Sequence, residues 1–417
     1  MPNSQVTFFQ LGIAPNMLEV LERLKFVTPT PIQHKAIPIA LEGKDVVGIA
    51  QTGTGKTLAF GIPMVQRLAS EGGKGLVVVP TRELAFQVDD VLRTILKPFK
   101  MTSAVLIGGM PINPQISALK RNPHVIIATP GRLIDHIYQG TLDFKDAAVL
   151  VLDEADRMFD MGFAPQVERI ISCLPTQRQT LMFSATMPPD IIKLATHHLQ
   201  LPIHVEIAPS GTATEDVTQE LFIVSEENKK QLLPMILRKY RGTILVFTRT
   251  KIKAHKVTRA IQQTGGKVAE IHSDRSMSQR QQAIDGFKSG RYRILVATDI
   301  AARGIDISMI ELVINYDLPG DVENYVHRIG RTGRAGCEGH AITFATPQQS
   351  EEVGKIERFV RKPLPRGKLP GITLDAFPAS GSRGGSSRPS HARHGKPSSG
   401  PKSSSGPRRR FRSARRH

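Results

Sequence analysis

The stretch Ala50-Gln51-Thr52-Gly53-Thr54-Gly55-Lys56-Thr57 decides how the chain is read. An apolar run, Val46-Val47-Gly48-Ile49, leads into it as a short buried strand, and a helical segment from Leu58 to Leu68 leaves it. Strand, glycine-rich turn and helix together form the setting in which such a run cradles phosphate. Gly53 and Gly55 let the backbone adopt positive φ and come close to a ligand. Successive N–H groups then point into one concavity, at the positive end of the helix that follows. Lys56 is placed to reach β- and γ-phosphates, and the Thr57 hydroxyl to hold Mg²⁺. Ala50 stands where the strict pattern has glycine, so the loop must be weighed with its surroundings.

Apolar runs alternate with helical periods from Asp45 to Ala208, with strands expected at 45–50, 75–80, 102–108, 124–129, 147–152, 179–183 and 203–208. That rhythm predicts an α/β fold whose parallel sheet is covered on both faces. Polar residues follow strand after strand: Pro80-Thr81-Arg82-Glu83-Leu84-Ala85, Thr129-Pro130-Gly131-Arg132, Asp153-Glu154-Ala155-Asp156 and Ser184-Ala185-Thr186. These are carboxyl ends of strands, the edge at which open α/β sheets bind ligands. The small polar run 209–216 reads as a linker. The rhythm then restarts, with strands expected at 219–224, 243–247, 267–271, 292–297, 311–316 and 340–345. The expected domains are therefore 1–208 and 217–360. Residues 361–417 are rich in Gly, Ser, Pro and Arg, a composition that cannot offset ordering entropy and reads as a disordered tail.

The chain has 417 residues and is 40% apolar, enough for two to three cored domains, with no run long enough to span a membrane. Its N-terminus shows no secretory pattern. Cys173 and Cys337 have no disulfide or zinc spacing, which fits a reducing compartment. The net charge is +19, which favours a polyanionic partner. Residues 376–417 hold eleven Lys or Arg and no acid.

Asp153 and Glu154 close an apolar strand. One acid can orient Mg²⁺ beside Thr57 and the other can position or deprotonate a water, although paired acids can also cap a helix. Gln33, in Pro29-Thr30-Pro31-Ile32-Gln33, offers a donor and an acceptor suited to a base edge. In His327-Arg328-Ile329-Gly330-Arg331-Thr332-Gly333-Arg334, Arg331 and Arg334 are spaced to face one ligand, and the guanidinium fork suits phosphate oxygens. The first domain has a phosphate loop without an arginine finger, and the second has arginines without a phosphate loop. One site completed by domain closure follows.

These motifs together resemble the DEAD-box ATP-dependent RNA helicases of superfamily 2. The resemblance covers about residues 8–345: Phe8, Lys25-Phe26 with PTPIQ, AQTGTGKT, PTRELA, Gly108-Gly109, TPGR, the DEAD run, SAT, ATDIAARGIDI and HRIGRTGR. The short core and basic tail look most like bacterial RhlE-type members. Lys25 replaces a usual Gly, Thr248-Arg249-Thr250 is one variant of a loose motif, and Ser273 replaces a common Gly, none of them a catalytic group.

The resemblance implies two tandem RecA-like domains that use ATP and Mg²⁺ and close on RNA. Phe8, Phe26 and Gln33 would take the adenine side. Ala50, Gln51, Thr52, Gly53, Thr54, Gly55, Lys56 and Thr57 would hold phosphates, with Thr57 and Asp153 on the metal and Glu154 as base. Asp299, Gly304 and Asp306 would meet the nucleotide across the cleft, with Arg331 and Arg334 as fingers. Asp156, Ser184, Thr186, His327 and Arg328 would couple hydrolysis to RNA work. Pro80, Thr81, Arg82, Gly109, Thr129, Pro130, Gly131, Arg132, Arg249, Arg280 and Thr298 would line the RNA path. A cytoplasmic monomer without membrane attachment is implied, working in ribosomal or RNA-decay complexes. A passive annealing clamp and a DNA-tracking motor are the alternatives on this scaffold. Intact Lys56, Glu154 and Arg331 speak against the first, and RNA over DNA needs 2′-OH contacts.

Deleting 376–417 should leave ATP hydrolysis at saturating RNA nearly intact while raising the RNA concentration for half-stimulation. Each phosphate neutralised on a single strand contributes roughly −0.7 to the slope of log affinity against log salt, so the deletion should flatten that slope. Titrations of both chains at several salt concentrations check this, and identical curves would reduce the tail to a solubility aid.

Overall fold

Continuous Val, Ile and Leu runs favour strands buried on both faces, and the runs named above become parallel strands. The computed structural model describes residues 7–51, 53–207, 217–302, 310–333 and 338–368. In the first half β1 is Val46–Ile49, β2 Lys74–Val78, β3 Ser103–Leu106, β4 Val125–Ala128, β5 Ala147–Leu152, β6 Gln179–Ser184 and β7 Ile203–Glu206. In the second, β8 is Val217–Ile223, β9 Ile244–Thr248, β10 Val268–Ile271, β11 Ile294–Thr298, β12 Leu312–Asn315 and β13 Gly339–Ala345. All the strand pairings are parallel. Both sheets belong to one unit, Met1–Phe377.

Alternation along each strand divides the first core into two layers. Val77, Val149 and Val151 face one set of helices, while Leu76, Val78, Leu150 and Leu152 face the other. Gly48 is in β1 because the Phe183 ring of β6 lies over it, 2.6 Å from where a Cβ would stand.

Strand order divides the polar strand ends of the first sheet into two groups. The first sheet runs β3-β4-β2-β5-β6-β1-β7, and the second β10-β11-β9-β12-β13-β8. At the carboxyl edge of the first sheet, β5, β6 and β1 bring together Asp153-Glu154, Ser184-Ala185-Thr186 and the phosphate loop. The neighbours β3, β4 and β2 present Gly108-Gly109, Thr129-Pro130-Gly131-Arg132 and Pro80-Thr81-Arg82 beside them. Chain order scatters these motifs, and sheet order sorts them.

The end of the second domain differs from the sequence expectation. Residues 361–368 were expected in the tail, yet Leu221 donates to Pro365 O at 2.8 Å and Gly367 donates to Leu221 O at 2.9 Å. Leu364 is buried, so a single apolar side chain and backbone pairing along β8 hold a segment whose composition reads as tail. The expected linker 209–216, residues 369–417, Thr52, Gly304, Asp306 and Arg334 lie outside the described residues. No helix among the described residues is long and apolar enough to cross a membrane.

Candidate nucleotide and RNA site

Helix Lys56–Glu71 begins where Gly55, at φ 88°, ends the loop, and Gly53 also has positive φ. Lys56 is therefore fixed at the first helical position and buried. Its Nζ donates to Ala50 O at 3.2 Å and stands 3.7 Å from Asp153 Oδ1. Thr54 Oγ1 closes the loop by donating to Gln51 O at 2.7 Å. Gln33 reaches this loop from helix Pro31–Leu41: Nε2 donates to Gly55 O, and Oε1 accepts from Thr30 N, both at 2.9 Å. An amide has a second hydrogen and a second lone pair, so each end retains capacity for a ligand. Phe26 is half-exposed near the same end of the chain, whereas Phe8 is buried in the core and supports the fold.

Asp153 follows β5 and is buried. Burial pushes its carboxyl up to about 6, Lys56 opposing and Glu154 adding to the rise. Glu154 goes the other way. Burial is the largest single influence and raises it, but Arg157, Lys56 and Arg331 together outweigh burial and bring it to about 2. Arg157 Nη1 donates to Glu154 Oε2 at 2.5 Å. Glu154 is also a non-glycine residue in the left-handed region, at φ 54° and ψ 52°. Asp156 ties this turn to β6. Its Oδ2 accepts from Ala185 N, Thr186 N and Thr186 Oγ1 at 3.2, 2.9 and 2.9 Å, while its own N–H donates to Ser184 Oγ at 3.2 Å.

The second domain faces this edge. Arg331 is buried, and its charge is felt at Glu154. A Cβ on Gly330 would stand 3.5 Å from Gln51 Oε1, so the turn before Arg331 lies against the phosphate loop. Arg328 is placed differently from its neighbour. It grips Asp299 with two bonds of 2.5 and 2.7 Å, donates to Asn315 Oδ1 and Asp317 O, and lies over the Phe247 ring. Asp299 is thus anchored inside its own domain by Arg328. Asp317 Oδ2 accepts from Arg249 N at 3.0 Å, linking the same cluster to an expected RNA contact.

On the other half of the edge a cleft of about 470 Å³ lies between the domains, lined by Arg82, Arg132, Arg275 and Arg280 among others. Thr81 caps helix Arg82–Leu96 by accepting from Leu84 N at 3.3 Å. The Arg82 guanidinium covers Gly109, whose φ is 74°. Arg132 Nη1 donates to Met110 O at 3.0 Å. Burial first, then Arg280, pushes the pKa of Arg82 down; Glu83 resists and Arg132 adds. Crowded cations of this kind favour a polyanion between them. Thr129 and Pro130 are buried at the start of helix Pro130–Tyr138, Gly131 is exposed, and Pro80 is buried. Across the cleft Arg249 is exposed and Thr298 half-buried, in register with Thr248.

The sequence named Glu83 without giving it a role. It forms a buried ion pair with Arg280, 2.7 Å, from one domain to the other. The signal available was an acid in the first turn of a helix whose start faces a cationic motif. Arg157, three residues after Glu154, and Asp317, at a strand end, were also missed.

Comparisons with known proteins find close relatives of this chain. Residues 30–194 match the family model for the DEAD/DEAH box helicase, and 227–336 that for the helicase conserved C-terminal domain. The DEAD-box ATP-dependent RNA helicase CshA of Geobacillus kaustophilus is 44% identical over 372 residues, 88% of this chain and 79% of that protein. The ATP-dependent rRNA helicase RRP3 of Candida albicans is 42% identical over 89% of this chain and 70% of its own length. S. cerevisiae Dbp5 bound to RNA and ADP BeF3 superposes with a TM-score of 0.79 at 31% identity, over 87% of this chain and 95% of that one. Mss116p bound to ssRNA and AMP-PNP gives 0.80 at 26% identity, over 88% and 80%.

Removing one partner of a buried ion pair costs about 3–5 kcal/mol. Glu83→Arg should therefore oppose the juxtaposition of the two sheets, and adding Arg280→Glu should restore it. Energy transfer between dyes on the two domains, with RNA and a nucleotide analogue present, reads this out. High transfer in the single variant would contradict a latch.

Proposed function

We propose, since this chain belongs to the DEAD-box ATP-dependent RNA helicases, that it hydrolyses ATP in one site completed by domain closure and spends that cycle on local RNA strand separation. The observation that carries this reading is that the turn before buried Arg331 of the second domain lies against the phosphate loop of the first, Gly330 beside Gln51, so that Lys56 and Arg331 both act on the charge of Glu154. The likeness in domain arrangement to Dbp5 with RNA and ADP BeF3 supports reading the present form as closed.

The phosphate loop and Lys56 hold the triphosphate, and Gln33 with Phe26 takes the base. The donor set also fits Mg²⁺: Asp153 is a buried carboxylate only loosely paired with Lys56, and Thr57 adds a hydroxyl. Among the described residues no group of three or more His, Cys, Asp or Glu could hold a metal alone. This suits a hard ion held by one or two protein oxygens and the substrate's phosphates. Bound there, Mg²⁺ would neutralise charge on the phosphate oxygens.

Glu154, kept ionised by Arg157, Lys56 and Arg331, accepts a hydrogen bond from the attacking water and orients it. As the water oxygen bonds to the γ-phosphorus, the bond to the β,γ-bridging oxygen breaks and the water's proton passes to Glu154. Arg331, with Arg334 assigned beside it, stabilises the charge on the moving phosphoryl group. Asp156 transmits the change to β6 through Ser184 and Thr186. Arg82, Gly109, Thr129 and Arg132 grip RNA from the first domain, with Arg249, Arg280 and Thr298 from the second.

We further read the chain as a cytoplasmic monomer of RhlE type acting on RNA in ribosomal or RNA-decay complexes. The basic tail and the two widely separated cysteines support that reading.

Glu154→Gln should bind ATP, lose turnover and leave the RNA-bound closed state long-lived, as read by single-turnover hydrolysis and RNA dissociation. Multiple turnover near the wild-type rate would remove Glu154 from its role. Arg331→Ala should cut RNA-stimulated hydrolysis by about 10³–10⁵-fold, and an unchanged rate would leave it an RNA contact only.

A further inference from the structure

Gln115 and His136 are buried polar side chains that the mechanism above does not use. Gln115, on helix Ile112–Leu119, closes a two-bond ring with the backbone of Ile107. Its Oε1 accepts from Ile107 N at 3.2 Å, and its Nε2 donates to Ile107 O at 3.0 Å. The same Nε2 also reaches Pro111 O at 3.3 Å. An amide side chain thus stands in for a strand at the end of β3 and fixes both ends of the turn holding Gly108, Gly109 and Met110.

His136, on helix Pro130–Tyr138, lies behind Gln115 and is fully buried. Its Nε2 is 3.4 Å from Gln115 Oε1, and its Nδ1 2.7 Å from Thr141 Oγ1. The Gln115 oxygen is fixed as an acceptor by Ile107 N–H, so His136 Nε2 carries the proton and donates. Nδ1 faces Thr141 Oγ1, whose hydroxyl also donates to His136 O at 3.2 Å. Burial first and Arg132 second lower the imidazole pKa, Asp135 opposing, in keeping with this neutral tautomer.

The turn held from behind is the one that Arg82 covers at Gly109 and Arg132 reaches at Met110 O. We propose that Gln115 and His136 are positioning residues for RNA binding, aligning the Gly108–Met110 turn with the helix that starts at Thr129-Pro130-Gly131-Arg132. They touch no ligand; they set the spacing of the groups that do. The inference rests on the reading that this turn, Arg82 and Arg132 face RNA. An unpaired buried partner is costly, so a turn released from behind should relax and lose RNA affinity by about tenfold.

The test uses the full chain and RNA-stimulated ATP hydrolysis. His136→Phe and Gln115→Leu should raise the RNA concentration for half-stimulation about tenfold, with the saturating rate and the KM for ATP unchanged. His136→Gln keeps a donor and should recover most of the affinity. Val205→Ala, at the opposite edge of the sheet, should lower thermal stability without moving half-stimulation. Wild-type half-stimulation in His136→Phe, an equal rise in Val205→Ala, or no rescue by His136→Gln would each overturn the inference. If Arg82→Ala and Arg132→Ala alone weaken RNA binding, the inference fails and the RNA reading stands. If those two change nothing either, both fall.

Discussion

Lys56 and Asp153 sit 3.7 Å apart, both buried, and do not close into a tight pair. Two desolvated charges left at that distance gain less from each other than contact would give, while burial still costs several kcal/mol for each ion. The proposed phosphate and metal positions give a reason for this spacing, since both would sit beside the two groups. The constraint reaches outward from there. β1 and β5 must stand one strand apart, β6 must carry small polar residues past its end, and the helix after the loop must begin at Lys56 itself. Ala50 O holds the ammonium in place without neutralising it.

β5 has a second duty, fixed by its place in the sheet. It borders β6 on one half of the sheet and β2 on the other. The acids after β5 are therefore the shortest bridge between the two halves, and Asp156 clasps the first residues beyond β6 with its carboxylate. In the second domain the buried Arg328 has the equivalent place. It binds the ends of β11 and β12 and lies over β9, so the turn carrying Arg331 and the loop carrying Arg249 share one scaffold. Cross-domain contacts occur on both halves of the edge, around Glu154 on one and between Glu83 and Arg280 on the other.

Much of this could be read in the chain itself. Buried parallel strands are unbroken apolar runs, so Val149 to Leu152 and Val125 to Ala128 announce themselves, and the polar residues after them fall on one edge by geometry. Long-range pairing is harder to read. Nothing local tells Glu83 that its partner is Arg280, or Asp299 that its partner is Arg328. The sequence offers Gln33 as a base reader; its bond to Gly55 O depends on a fold that brings residues 22 positions apart together. Residues 361–368 were misread because composition averages over a segment, whereas Leu364 and two backbone bonds act one residue at a time.

The backbone at Glu154 has a consequence for how this sequence can change. A left-handed conformation in a residue with a side chain costs of order 1–3 kcal/mol, and glycine would adopt it freely. Removing the carboxylate would relieve that strain but strand the buried Arg157 that pairs with it, a loss of about 3–5 kcal/mol, so the strained turn and the ion pair hold each other in place.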